Sequence, residues 1–415
     1  MVSSGDPHRD RSRRPAAVIA HVDMDAYFVE VELLSRPELR GRRLIVAHDS
    51  PRSVVLSASY PARAQGVRSA MPLTRARQLS PDSLVLEPHQ QRYRELSRQI
   101  MAYFGTLTDT VEQLSVDEAF LDLTGAVRRL GPPAQIGELI RRDVREQFGL
   151  PCTVGIADRK FIAKIASTRA KPDGLMLVPP AQRLQFLHAL PVESLWGVGG
   201  TTAAALHDRG VRTVEQLAQT PRDVLTARFG ALGEHLHDLA WGVDERGVEP
   251  HREEKSIGAE ETFAVDISST EQLRAELLRL SYRIAARLRA AELSASGVSL
   301  KLRYRDFDTL TRSTSLPHPT RSAPVLHRAA VQLLHRLGDR AQPVRLIGLR
   351  AERLDRGDSA VQLSFDGAES RWTDAEAAVD VVAHRFPESA IGPASLIPPP
   401  RSESEETGDD PSTPR

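Results

Sequence analysis

Two short acidic clusters set in apolar, strand-forming text constrain this 415-residue chain more than any other feature. Val18 to Val22 is an apolar run suited to a buried strand, and it stops at Asp23-Met24-Asp25. Ser115-Val116-Asp117-Glu118 opens a second stretch of strand character that runs to Leu123. Carboxylates in such settings are costly to bury without a counter-charge, and a pair of divalent cations supplies one. Hard oxygen donors suit magnesium, which keeps several waters and relies on one or two carboxylates plus substrate phosphates. Two such ions about 3.5–4 Å apart serve an in-line phosphoryl displacement, which is polymerase or cyclase chemistry. Alone, each acidic pair also fits a turn or a loop. Their joint occurrence in strand contexts, on either side of an insert, is what points to a site.

Period and punctuation sort the rest of the chain. Helices are predicted over Ala26–Leu34, Gln91–Phe104, Ile136–Phe148 and Lys160–Ala170, with a strand over Cys152–Ala157. Such alternation predicts a βαββαβ-like sheet with helices on one face. Pro37 to Pro81 reads as the insert, with strands at Leu44–Ala47 and Ser53–Leu56 and a helix at Leu73–Leu79. Leu184 to Gly242 is helical, punctuated by Gly197-Val198-Gly199-Gly200, and forms a separate small domain. Asp244 to Lys255 is polar and without apolar period, which marks a linker. Beyond it, strands at Thr262–Val265, Gly297–Tyr304, Leu310–Leu316 and Val344–Glu352 alternate with helices Thr270–Glu292 and Pro324–Leu337, a second α+β domain. A last helix is expected over Asp374–Phe386. Residues 1–17 and 398–415 have the composition of disordered tails.

Composition excludes several classes. One cysteine, Cys152, rules out a disulfide framework or a thiolate zinc site and suits a small buried side chain better than a catalytic thiol. No apolar run approaches the roughly 18 residues of a membrane span, and the polar, Arg-rich start lacks the apolar centre of a signal peptide. A cytoplasmic location is expected. Basic and acidic residues balance at 55 each, yet between Glu271 and Arg350 there are 15 basic residues against 6 acidic ones, a local +9. The tail after Arg401 is rich in Ser, Glu, Asp and Pro. A basic module with an acidic tail is the asymmetry of a polyanion-binding protein, although Arg-rich surface helices would give much of the same count.

The text around the acids carries a resemblance. Ala20-His21-Val22-Asp23-Met24-Asp25-Ala26-Tyr27-Phe28 and Leu114-Ser115-Val116-Asp117-Glu118-Ala119-Phe120-Leu121-Asp122 resemble the two catalytic motifs of the Y-family translesion DNA polymerases, in particular the DNA polymerase IV type. Similar text runs from about Val18 to Glu352. The resemblance implies an α+β multidomain, right-hand polymerase. Its parts are a ferredoxin-like palm (18–36 and 82–183), small fingers (37–81), a helical thumb with a helix-hairpin-helix (184–243), a linker (244–255) and an α+β little finger (256–355). Residues 356–397 form a C-terminal extension. It also implies Asp23, Asp117 and Glu118 as ligands of two Mg²⁺ ions, with the carbonyl of Met24 completing the second site and Asp25 supporting rather than ligating.

Further roles follow from the same resemblance. In Ser57-Ala58-Ser59-Tyr60-Pro61-Ala62-Arg63, Ser57, Tyr60 and Arg63 are implied contacts of the incoming dNTP, as is Lys171 in Ala170-Lys171-Pro172-Asp173-Gly174. Phe28 takes the place of a steric gate that leaves no room for a 2′-hydroxyl. Leu195-Trp196-Gly197-Val198-Gly199-Gly200-Thr201-Thr202 is similar to the thumb hairpin, where Gly197 and Gly199 let the backbone approach a DNA phosphate. Lys301, Arg303 and Arg305, placed on one face by alternation, and Arg312 beside them are implied contacts to primer-template DNA. Gln362-Leu363-Ser364-Phe365 resembles a sliding-clamp peptide, with Ser364 standing where a Leu is usual.

The implied activity is low-fidelity primer extension across damaged template, by a monomer without a proofreading exonuclease. Val29, Glu30, His48-Asp49 and Pro61 depart from the usual text near the pocket and fingers without removing a ligand. Two other readings compete. A catalytically dead adaptor predicts lost carboxylates, and a nucleotidyl cyclase has no use for a thumb, a little finger or a sugar gate.

Overall fold

Alternation along Ile19–Met24 gives a strand two faces to bury, and this strand becomes the centre of the first unit. The computed structural model describes residues 17–251, 253–338, 342–356, 368–385 and 396, and the chain divides into two units at Arg252 and Glu253. The first contains β1 (Ile19–Met24), β2 (Leu44–Val46), β3 (Ser57–Ala58), β4 (Leu84–Leu86), β5 (Val111–Gln113), β6 (Glu118–Asp122), β7 (Cys152–Ala157) and β8 (Leu175–Val178). A five-stranded sheet is ordered β5-β6-β1-β7-β8. In it β1 is antiparallel to both neighbours, with Asp23 opposite Glu118 on one side and Thr153 on the other.

Ala20, Val22 and Met24 pack with Leu121, Val154 and Ile156 beneath the helices Gln90–Leu107 and Pro133–Phe148. Ile19 joins Phe120 and Phe161 in a different core, and His21 meets Ser167 of the helix Lys160–Ala170. The sheet is therefore covered on both faces rather than one. Gly155 permits the second layer: a Cβ there would stand 2.1 Å from the Ala163 carbonyl oxygen and 2.2 Å from the Ser167 nitrogen. A missing side chain leaves no trace in an apolar period, so this close approach was not legible. Cys152 is fully buried, and burial pushes its thiol up out of reactive range.

The insert carries a three-stranded sheet ordered β3-β2-β4, its last strand lying past Pro81. The strand expected at Ser53–Leu56 is displaced to Ser57–Ala58. Val55 bonds instead to the neighbouring turn, its amide donating to the Met71 carbonyl at 2.8 Å and its carbonyl accepting from the Ala70 amide at 2.8 Å. Five α-helices between Arg183 and Ala240 share the core of Ile19 and Phe120 through Leu187, Leu206, Leu217, Leu225 and Leu236.

The expected linker is fixed over its first half. Asp244 is buried, and Arg246 binds it at 2.7 and 2.9 Å while lying 5.0 Å from the Trp196 ring centroid. The Lys160 ammonium pairs with Glu112 and donates to the Gly247 carbonyl at 3.2 Å. Glu112 in turn accepts the Glu249 amide at 2.8 Å.

The second unit has β9 (Ser256–Ile267), β10 (Ser294–Tyr304), β11 (Thr309–Thr320) and β12 (Val344–Asp355), antiparallel in the order β11-β10-β12-β9. Its helices Thr270–Ala290 and Ala323–Arg336 bury Leu277, Ile284, Leu326 and Leu333 against Leu300, Leu302 and Ile347. The helix Ala368–Arg385 starts earlier than the expected Asp374. Arg289 holds it, donating to Asp380 at 2.6 and 2.9 Å and to Glu376 at 3.1 Å. Glu376 also accepts the Ala323 amide at 3.0 Å, a carboxylate at a helix N-terminus where the dipole favours it. The clamp-like Gln362–Phe365, and the expected tails apart from Ala17, lie outside the described residues. Among the described residues no helix is long and apolar enough to cross a membrane.

Candidate active site

β1 and β6 bring the first acids together. Because Asp23 and Glu118 are direct cross-strand partners, their side chains share the face that also carries His21. Ligand atoms of His21, Asp23 and Glu118 lie within 4.8 Å of one another. Asp117 sits in the bend just before β6 rather than in a strand. Its carbonyl accepts the Met24 amide at 2.9 Å, and its carboxylate accepts the Ser115 hydroxyl at 2.5 Å.

Two lysines face these acids. Lys171 donates to Asp23 at 2.6 Å and Lys164 to Glu118 at 2.5 Å. Burial drives the Asp23 carboxyl up to about 6 against the pull of Lys171, with Asp117 and Glu118 adding to the rise. Burial also pushes Glu118 up, but the bonds from His21 and Lys164 outweigh it and hold that group down at about 2. Burial lowers the His21 imidazole to about 4 despite its bond to Glu118 at 3.1 Å, so at neutral pH the ring is uncharged.

Asp25 is buried and fully engaged. It accepts the Thr153 hydroxyl at 2.9 Å, the Tyr60 hydroxyl at 2.9 Å and the Asp173 amide at 2.7 Å. Directly after it, Ala26 adopts φ 44° and ψ 41°, a left-handed conformation that costs a non-glycine residue about 1–3 kcal/mol. This turn leads from β1 into the helix Tyr27–Leu33.

One cleft is lined by Asp23, Met24, Phe28, Ser57, Arg63, Asp117 and Lys171, together with Ala26, Tyr27, Leu56 and Ser69. Phe28 forms a wall, its ring stacked on Tyr93 at 4.4 Å and 18°, and Tyr93 is fixed by its hydroxyl to Glu32 at 2.6 Å. Arg63 donates to the Ala58 carbonyl at 2.8 Å and lies 5.1 Å from the centre of the Tyr60 ring. Tyr60 spends its one hydroxyl donor on Asp25, and it is not among the residues lining this cleft.

The expected DNA contacts are scattered. Gly197, at φ 99°, and Gly199 lie beside the helix Gly200–His207, with nothing within 4 Å of where their Cβ atoms would stand. In the second unit Lys301 is held by both Glu260 oxygens at 2.9 and 3.0 Å. Gly348 stands between the two in register, and a Cβ there would collide with Glu260 at 2.8 Å. Arg303 shares the face of Lys301 and donates to Thr309 at 3.0 Å. Arg305 falls in the turn after β10, and Arg312 pairs with Leu300, which puts it on the opposite face.

Sequence reasoning passed over His21, Lys164, Tyr27 and Ser69. His21 stands two residues before Asp23 and so shares its face once the strand is assigned. Lys164 interrupts the apolar run from Phe161 to Ala166 of its helix, and that interruption was the available signal.

Comparison with known proteins covers the same ground. Residues 22–168 match the profile of the impB/mucB/samB family, residues 254–365 that of its C-terminal domain, and residues 193–244 that of the DNA polymerase-iota thumb domain. The chain is 40% identical over 383 residues to DNA polymerase IV of Desulfatibacillum aliphaticivorans, covering 92% of this chain and 97% of that protein. It is 42% identical over 333 residues to DNA polymerase IV of Halorhodospira halophila, covering 80% and 93%. Among solved structures, a Y-family DNA polymerase chimera of Dbh and Dpo4 aligns with a TM-score of 0.75 at 26% identity, over 81% of this chain and 98% of that one.

Proposed function

Since the chain belongs to the Y family of DNA polymerases, of the DNA polymerase IV type, we propose that it adds dNMP to a primer 3′-hydroxyl by two-magnesium phosphoryl transfer, without proofreading. It is a DNA-directed DNA polymerase of the translesion class. The convergence of Asp23, Asp117, Lys171, Arg63 and Phe28 on one cleft carries the reading.

The residues present fit hard divalent cations. Asp23, Asp117, Glu118 and the Met24 carbonyl offer oxygen donors only, the set that magnesium prefers. When bound, two such ions neutralise the triphosphate and activate the attacking hydroxyl. Lys171 and Arg63 would hold phosphate oxygens, with the Ser57 hydroxyl beside them. Tyr60, tied to Asp25, positions Arg63. Phe28, backed by Tyr93, closes the space at the sugar 2′ position. The open backbone at Gly197 and Gly199 and the basic residues of the second unit would hold primer-template DNA, and Gln362–Phe365 would meet a sliding clamp. We place the enzyme in the cytoplasm as a monomer.

Primer extension with Mg²⁺ tests this. Wild type should extend, and Asp117→Ala with Glu118→Ala should not. No extension by the wild type, or full extension by the double variant, overturns the assignment.

A further inference from the structure

At the turn between β10 and β11 the second unit displays an aromatic ring that its core does not use. Phe307 is 61% exposed, although burying such a ring is normally a large gain. One side of it is taken: the Arg345 guanidinium carbon lies 4.7 Å from the ring centroid. The Phe307 backbone stands at φ 72°, which a non-glycine residue keeps only where surrounding bonds enforce it. Those bonds are present. The Tyr304 amide donates to the Asp308 carbonyl at 2.9 Å and the Phe307 amide to the Tyr304 carbonyl at 3.1 Å. Asp306 accepts the Asp308 amide at 3.0 Å and the Gln342 side chain at 2.7 Å. The ring is thus presented by a braced turn.

Its surroundings select the partner. Arg305, Asp306, Asp308 and Thr309 around it are all exposed, so among the described residues of this turn there is no apolar rim to seal a protein's hydrophobic anchor. Arg303, Arg305 and Arg345 outnumber the two aspartates, of which Asp306 is spent on the turn itself. A flat ring with a cation behind it and basic neighbours matches a nucleobase joined to a phosphate. Paired bases in a duplex keep their faces stacked, so the open face of the ring favours an unpaired one.

We propose that Phe307 is a stacking platform for an unpaired base of single-stranded template, with Arg345 backing the ring. This rests on the reading that the second unit holds DNA.

The test measures binding of the full chain to a primer-template with a single-stranded 5′ template overhang and to a blunt duplex of equal length. Wild type, Phe307→Leu and Phe307→Trp are compared, with 2-aminopurine placed at successive unpaired template positions. Phe307→Leu should weaken overhang binding roughly tenfold, leave the blunt duplex unchanged and abolish the fluorescence change at one template position. Phe307→Trp should retain both signals. Equal loss on both substrates, or no loss on the overhang, sinks the platform alone. Failure of the wild type to bind either DNA sinks the reading beneath it.

Discussion

Residue by residue, the proposed mechanism divides the site into groups that would do chemistry and groups that would aim them. Phe28 owes its position to Tyr93 stacked behind it, so Phe28→Ala should open the sugar pocket without collapsing the wall. Ribonucleotide incorporation by that variant is expected to rise roughly tenfold or more, measured as the ratio of dNTP to rNTP kcat/KM. Asp23 carries a pH signature. Its carboxyl is raised to about 6 by burial, so the proton that competes with a cation is bound below that pH and gone above it. Mn²⁺ affinity, followed by titration, should be flat above about pH 6 and fall about tenfold per unit beneath it. That Asp23, Asp117 and Phe28 meet at one cleft was legible because motif text surrounds them. The engagement of Asp25 by Thr153, 128 residues away, was not, since its partners are two hydroxyls and an amide that any sequence supplies in abundance.

At the scale of elements, the apolar period of β1 and of the helices was read with little error, whereas strands held by irregular bonding were not. The Ser53–Leu56 segment is apolar like a strand, but Val55 finds its partners in a turn. The segment after Gly242 looks like a free linker, yet a charge pair and backbone bonds fix it. Lys160 and Glu112 are both nearly buried there, at 7% and 12% side-chain exposure. Lys160→Met would leave Glu112 without its counter-charge and free the Gly247 carbonyl, at a cost of about 3 kcal/mol in urea denaturation. Adding Glu112→Gln should recover part of that loss, since the two changes share one interaction.

For the whole molecule, a net charge of zero concealed the basic stretch between Glu271 and Arg350, and only the regional count revealed it. Each unit has its own apolar core, and calorimetry should resolve two transitions. Arg289 anchors the helix Ala368–Arg385 through Glu376 and Asp380, so Arg289→Met strands two carboxylates, one of them buried. That variant should lose about 3 kcal/mol from the second transition and leave the first in place. The clearance at Gly155 has a consequence for genetics. Any side chain there drives the helix bearing Lys164 and Ser167 away from the strand bearing His21 and Asp23. A Gly155→Ala allele should therefore score as inactive in a loss-of-function screen, alongside the carboxylates, although residue 155 touches no reacting atom. Thermal unfolding would tell the two kinds of null apart, a lowered midpoint marking Gly155→Ala and a near-native one marking Asp117→Ala.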